Sequence, residues 1–186
     1  MHQALWLLLE TVGSLLATAC LLRAYQNRLG LGARNPIGQF VVAITDWIVK
    51  PLRRMIPASR ANDWASIVAA FAIAVVLAIL FAALFGIRGA AAPGSVFLLA
   101  VFWLIKWSLW LLTVLVFAQV VLSWVNPYAP IAPTISSLTA PFLAPIRRIV
   151  PLIGGVDLSP LVLILLVQFA LTLLQSLIPG ALSLAG

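Results

Sequence analysis

The stretch KPLRRMIP occupies residues 50–57, and APIRRIVP returns 94 positions later at residues 144–151. The same offset relates two further pairs of residues, Thr45 with Thr139 and Asp63 with Asp157. Self-similarity at a fixed spacing is the sequence signature of a duplicated architecture. We therefore predict two repeats, at residues 1–92 and 93–186, each containing one copy of the motif.

The composition indicates a membrane protein. Of the 186 residues, 64% are hydrophobic and only 8% are charged, which leaves too few polar side chains to cover a soluble domain. The net charge is +7, and its cations lie beside apolar segments. Cations at such positions bind anionic lipid headgroups and set the orientation of the spans, so we expect no nucleic-acid partner. The single cysteine, Cys20, excludes an intramolecular disulfide.

Four apolar segments approach the roughly 20 residues that a helix needs to cross a hydrocarbon core. They predict transmembrane helices at about 4–22, 64–87, 95–125 and 158–178. The third is too long for one crossing, so its start at residues 96–105 is expected to lie along the interface or to tilt. The predicted fold is an all-α integral membrane protein, with its four transmembrane helices arranged as two parallel helical hairpins.

A basic connection lies within each hairpin, and the positive-inside rule assigns both connections to the cytoplasm and both termini to the opposite side. The first connection has an apolar stripe at helical spacing, formed by Ile37, Phe40, Val41, Ile44, Trp47 and Ile48, with Gln39, Thr45, Asp46 and Lys50 on the remaining surface. This pattern predicts an amphipathic element that is interfacial or re-entrant. The second connection has a similar stripe, although Pro141 and Pro145 should break a long helix.

The repeated arginines Arg53, Arg54, Arg147 and Arg148 are the candidate contacts for anionic lipid or a partner protein. Flanking prolines hold each pair on a short rigid stretch, and guanidinium groups suit bidentate contact with phosphate or carboxylate. The arginines therefore act either as general anchors to anionic headgroups or as a paired site for one lipid or acidic segment. Asp63 and Asp157 each precede a span, where we expect them to cap the helix.

Glu10 and Lys106 are the candidate intramembrane charges, since each lies within an apolar segment. We expect them to pair or to reach the interface, with ion coordination or proton relay as the alternative. Three spans also have polar faces that either pack the helices together or line a hydrated path. These faces are Glu10, Ser14 and Thr18; Gln119 and Ser123; and Gln168, Thr172 and Gln175.

The sequence has no pattern typical of an enzyme. It contains one histidine, His2, and neither a Gly-rich phosphate loop nor Cys/His spacing suited to a metal. We therefore expect no catalytic, cofactor-binding or metal-binding residues.

Several motifs resemble the YggT family. The first half contains NPI at 35–37, QFV at 39–41 and PLRRMIP at 51–57, and the second contains LSWV at 122–125 and GGVDLSP at 154–160. The resemblance covers nearly the whole chain and implies a bacterial inner-membrane protein with two YggT repeats.

The resemblance also implies a function, because YggT proteins are associated with osmotic-stress tolerance and potassium uptake, and other relatives with division, nucleoid organisation and assembly of a haem-bearing complex. We predict a role in osmotic stress or potassium/ion homeostasis, either channel-like or regulatory. The alternative is a non-conducting scaffold or assembly factor for other membrane proteins. The expected partners are the anionic bilayer, further copies of the chain in a homo-oligomer, and other membrane proteins.

Overall fold

The computed structural model describes residues 2–56, 62–85, 92–150 and 157–177, and these contain helices and no strand. The helices are α1 (His2–Arg28), α2 (Pro36–Met55), α3 (Trp64–Phe85), α4 (Pro93–Val125), α5 (Ala132–Arg147) and α6 (Ser159–Ser176). Four of them, α1, α3, α4 and α6, are long and apolar enough to cross a membrane. The chain is therefore an all-helical, multi-pass membrane protein, as predicted. The predicted ends of the second and fourth spans, at residues 87 and 178, lie outside the described residues.

α1 continues six residues beyond its predicted end at Leu22 and stops at Arg28. A Schellman motif ends it: the Leu31 N–H donates to the Gln26 carbonyl oxygen and the Gly30 N–H to the Asn27 carbonyl oxygen, each at 3.0 Å. Gly30 adopts the left-handed φ of +70° that this motif needs. The extension matters because it brings Arg23 and Asn27 onto a membrane-spanning helix.

α2 begins at an Asn-Pro pair. Asn35 is the N-cap, and its side-chain oxygen accepts from the Gly38 N–H at 2.7 Å, while Pro36 occupies the first helical turn. Gly38 is buried, and a Cβ there would collide with the Gly32 carbonyl oxygen. The loop before α2 therefore packs directly on the helix backbone.

The buried face of α2 differs from the predicted apolar stripe. Thr45 is fully buried together with Val41 and Val49, whereas Phe40 and Trp47 are exposed. The Thr45 hydroxyl donates to the Val41 carbonyl oxygen at 2.7 Å, which satisfies it within the helix. The exposed Phe40 and Trp47 agree with an amphipathic element whose apolar side chains face lipid. The placement of Thr45 on the outer surface is wrong, because its hydroxyl is bonded inside the bundle.

α5 and α4 also depart from expectation. α5 continues through Pro141 and Pro145 instead of breaking, and the buried Leu138 and Leu143 pack its middle against the bundle. α4 is one continuous helix of 33 residues, about 50 Å at 1.5 Å per residue. The start of α4 packs in the same core as α1 and α3, so residues 96–105 belong to the bundle and not to a separate interfacial segment. The alternative expectation, a tilted span, stays a prediction.

The two halves also meet near the C-terminal ends of α1 and α4. The Tyr25 hydroxyl donates to the Leu138 carbonyl oxygen at 2.7 Å. Around this bond, Leu22, Val41, Leu115 and Leu138 form one apolar cluster drawn from α1, α2, α4 and α5. α2 and α5 therefore lie at the same end of the bundle.

Candidate functional site

Several polar side chains of the described residues are hydrogen-bonded to Asp63, which is buried just before α3. The Asp63 Oδ2 atom accepts from Asn27 Nδ2 at 2.6 Å, from the Ser66 hydroxyl at 2.8 Å and from the Arg53 guanidinium. Its Oδ1 atom accepts from the Ser66 N–H at 3.4 Å. Asp63 thus caps α3, as predicted, and also joins α1 to the end of α2.

Arg23 extends this arrangement across α2. Its side chain is almost fully buried, and it donates to the Thr45 hydroxyl at 2.8 Å and to the Asp46 carboxylate at 2.9 Å. Its Nε atom lies 3.9 Å from Asp63 Oδ2, and the Lys50 ammonium lies 2.8 Å from the other Asp46 oxygen. We call this set the first-repeat charge cluster: Arg23, Asn27, Thr45, Asp46, Lys50, Arg53 and Asp63.

The acids of the cluster are held in their charged form. Burial alone would raise the pKa of Asp63, but hydrogen bonds from Arg53, Ser66 and Asn27 outweigh it and lower the pKa below 3.8. Hydrogen bonds from Lys50 and Arg23 likewise lower the pKa of Asp46. At neutral pH the cluster therefore contains three cations and two carboxylates. All of its members except Thr45 and Asp63 line a cavity of about 330 Å³.

The second repeat keeps a reduced version of this site. Arg147 Nε donates to Asp157 Oδ2 at 2.8 Å, and Asp157 Oδ1 accepts from the Ser159 N–H at 2.9 Å, so Asp157 caps the start of α6. Burial opposes ionisation of Asp157, but hydrogen bonds from Ser159 and Arg147 lower its pKa. Thr139 is buried like Thr45, and its hydroxyl donates to the Gln119 side chain.

The charged members of the cluster other than Arg53 and Asp63 are replaced by uncharged residues in the second repeat. At the 94-residue offset of the motif, Ala140 and Ala144 stand in place of Asp46 and Lys50, and Gln119 contacts Thr139 as Arg23 contacts Thr45. One duplicated motif therefore stands in two electrostatic environments. The ion pair is enclosed by further charges in the first repeat, whereas it stands alone in the second.

The four repeated arginines separate into two types. Arg53 and Arg147 are bound to Asp63 and Asp157, while Arg54 and Arg148 are exposed and make no ion pair within the described residues. Contact with anionic lipid or a partner stays a prediction for all four. Sequence reasoning missed Arg23, because it ended the first span at the residue before this cation.

Glu10 and Lys106 face each other between α1 and α4, with Lys106 Nζ 3.9 Å from Glu10 Oε1. Both side chains are partly exposed. This distance matches the expected pairing, and an ion pair lowers the cost of holding either charge within a span.

The polar faces of the spans behave differently from one another. Gln119 packs against Thr139 inside the bundle, in line with the helix-packing prediction. Gln168, Thr172 and Gln175 instead lie on the exposed face of α6. The inward face of α6 is formed by Leu163, Val167 and Leu171, so its polar face does not pack against the other described helices, and helix packing through it stays a prediction.

These features define an integral membrane protein with a duplicated Pro-Arg-Arg motif and an internal charge cluster. The family model described as CCB3/YggT matches residues 2–84 and 98–178, and the chain belongs to this family. The two matched regions each contain one copy of the motif. The exact repeat boundaries at residues 92 and 93 stay a prediction.

Relatives in three bacteria are similar over most of their length. An uncharacterized protein in the proC 3′ region of Vibrio alginolyticus is 36% identical over 173 residues, covering 92% of this chain and 93% of its own. Uncharacterized protein YggT of Escherichia coli K12 is 36% identical, covering 86% and 82%. An uncharacterized protein of Haemophilus influenzae is 28% identical, covering 97% and 96%. No solved structure matches the chain.

Proposed function

We propose that the chain acts in osmotic stress or potassium/ion homeostasis, as a regulatory inner-membrane protein that responds to ionic strength at its cytoplasmic face. The observation that carries this proposal is the unequal burial of two homologous ion pairs. The Asp63 side chain is 1% exposed and its partner Arg53 is 35% exposed, whereas Asp157 is 30% exposed and its partner Arg147 is 45% exposed, so the difference lies in the aspartates. Salt screens exposed charges over about 10 Å at 0.1 M and acts far less on buried ones.

The second-repeat pair is accordingly the salt-sensitive one. Raising the ionic strength weakens Arg147–Asp157 and the attraction of Arg148 to anionic headgroups, while the first-repeat charge cluster keeps α2 in place. We therefore expect the C-terminal end of α5 to change its position with ionic strength, while α2 keeps its position. The proposal involves no catalysis and no cofactor.

The proposed topology has two parallel hairpins, with α2 and α5 at the cytoplasmic interface and both termini in the periplasm. The Tyr25–Leu138 bond between the halves and the cations at that end support this orientation. Exposed aromatic side chains at the same end, Phe40, Trp47, Trp124 and Tyr128, suit the headgroup region.

A regulatory role is favoured over a channel-like one because all four acids of the chain face a cation. Asp46, Asp63 and Asp157 are paired as described above, and Glu10 faces Lys106. A conducting path for cations needs polar groups that are free to replace the water around the ion. These carboxylates are instead engaged by the protein itself.

Rubidium uptake into proteoliposomes tests the choice between the two roles. We expect uptake no faster than in protein-free vesicles, both for the wild type and for the paired Glu10→Gln, Lys106→Gln variant. Uptake by the wild type that the variant alters would reject the regulatory role and support a channel. In cells lacking the gene, expressing the Arg54→Gln variant should restore wild-type growth at every osmolarity. The Arg148→Gln variant mimics the salt-weakened state of the wild type, so its growth should differ from that of the wild type mainly at low osmolarity.

The alternative role is a non-conducting scaffold or assembly factor for other membrane proteins, and the engaged acids agree with it equally well. Growth measured over a range of osmolarities distinguishes the scaffold from the regulator. A scaffold predicts that any growth defect of Arg148→Gln is the same at all osmolarities, whereas a regulator predicts that the defect is largest at low osmolarity and fades as osmolarity rises.

A further inference from the structure

α6 presents polar side chains to the outside of the bundle. Gln168 lies midway along this span and is exposed, as are Thr172 and Gln175. The Thr172 hydroxyl donates to the Gln168 carbonyl oxygen at 3.0 Å, but neither glutamine amide is bonded within the described residues. An amide without a hydrogen-bond partner costs free energy in hydrocarbon. We therefore expect this face to contact a partner that has polar groups of its own.

The spacing of the residues on this polar face suits a partner helix. Leu161, Leu165, Gln168, Thr172 and Gln175 are separated by four, three, four and three residues, and all five are exposed. This is the repeat of a helix–helix seam with knobs-into-holes packing. The opposite face of α6 packs against α4 and α5, so the seam is free of contacts with them.

We propose that this seam pairs with the same seam of a second copy, forming a parallel two-fold dimer through α6. Copies inserted in one membrane share one orientation, so a two-fold axis along the membrane normal brings each seam residue to its own counterpart. A glutamine amide both donates and accepts hydrogen bonds, which makes Gln168 and Gln175 self-complementary across that axis. The inference is independent of the regulatory function proposed above.

Cysteine crosslinking in native membranes tests the dimer with two neighbouring leucines. Leu165 is on the seam and Leu166 is beside it, and their side chains are similarly exposed, at 62% and 54%. In a Cys20→Ala background, mild oxidation should link Leu165→Cys into a product of twice the chain mass and leave Leu166→Cys monomeric. Equal crosslinking of the two, no crosslinking of either, or a product containing another protein would overturn the proposal.

A second measurement tests the role of the amide itself. Gln168→Leu should weaken self-association in vesicles roughly 3- to 10-fold, measured by energy transfer between labelled copies, while Gln168→Asn should largely restore it. Gln39→Leu is the matched control, because Gln39 is exposed on α2, outside the spans. Association unchanged by Gln168→Leu, or weakened equally by Gln39→Leu, would contradict the self-complementary seam.

Discussion

Replacing Asp63 with asparagine removes one charge from the first-repeat charge cluster while keeping the shape of the side chain. Asparagine is also a good N-cap, so its oxygen keeps the cap of α3, while its amide nitrogen faces the Asn27 and Arg53 donors and accepts from neither. Arg53 then loses its carboxylate partner, whereas Arg23 retains Asp46. Breaking a fully buried pair on one side costs about 3 to 5 kcal/mol. We expect the lower figure, about 3 kcal/mol, because Arg53 is 35% exposed and Arg23 stays paired, while the new amide leaves the donors around Asp63 without an acceptor.

The expected result is a lower melting temperature in detergent. For a chain of this size, about 1 kcal/mol shifts Tm by about 2 to 4 °C, so Asp63→Asn should melt about 6 to 12 °C below the wild type. Cys20 is the single cysteine and is fully buried, so a thiol-reactive fluorophore reports unfolding directly.

The second repeat supplies the matched control. Asp157→Asn removes the homologous charge from an exposed pair, which is worth at most about 1 kcal/mol, so its Tm should fall by less than about 4 °C. Adding 0.5 M KCl should abolish this smaller effect and leave the Asp63→Asn effect largely in place. Equal losses for the two variants would refute the claim that the repeats differ in electrostatic burial.

Three further predictions concern pH, packing and the intramembrane pair. Because the folded pKa values of Asp46 and Asp63 lie below 3.8, the stability they contribute is complete above about pH 5 and is lost as pH falls below about 4; a Tm that changes between pH 5 and 8 would contradict this. Gly38→Ala forces a Cβ against a backbone carbonyl and should cost about 1 to 3 kcal/mol, visible as a lower Tm, while an unchanged Tm would show that the loop before α2 can move aside. Glu10→Gln and Lys106→Gln should each lower Tm more than the double variant does, since each single change leaves one unpaired charge within a span; additive losses would exclude their coupling.

The sequence was sufficient to predict the four spans, the duplication and the capping role of Asp63, because hydropathy, repetition and cap chemistry are local properties. It did not predict the burial of Arg23 or Thr45. Both are polar, and their burial depends on partners brought together from three segments: α1, α2 and the turn before α3. Contacts between residues that are far apart in sequence produce no periodic pattern of hydropathy along the chain.

The polar face of α6 was visible in the sequence, but its direction was not. Gln168, Thr172 and Gln175 have the same spacing as residues that pack inside a bundle. Only the packing of Leu163 and Val167 against the neighbouring helices fixes which face is outward. The unequal repeats have the same origin, since identical Arg-Arg pairs differ through the residues that surround them.

Met55 and Ile149 allow the most direct test of salt-dependent regulation, because they are homologous positions directly after the two Arg-Arg pairs and are 81% and 82% exposed. The measurement is the depth of a spin label at each position, in a Cys20→Ala background, in vesicles rich in anionic lipid, as KCl rises from low to high concentration. The account predicts that the label at residue 149 moves away from the bilayer with increasing salt while the label at residue 55 keeps its depth. Identical responses at the two positions, or no response at residue 149, would contradict it.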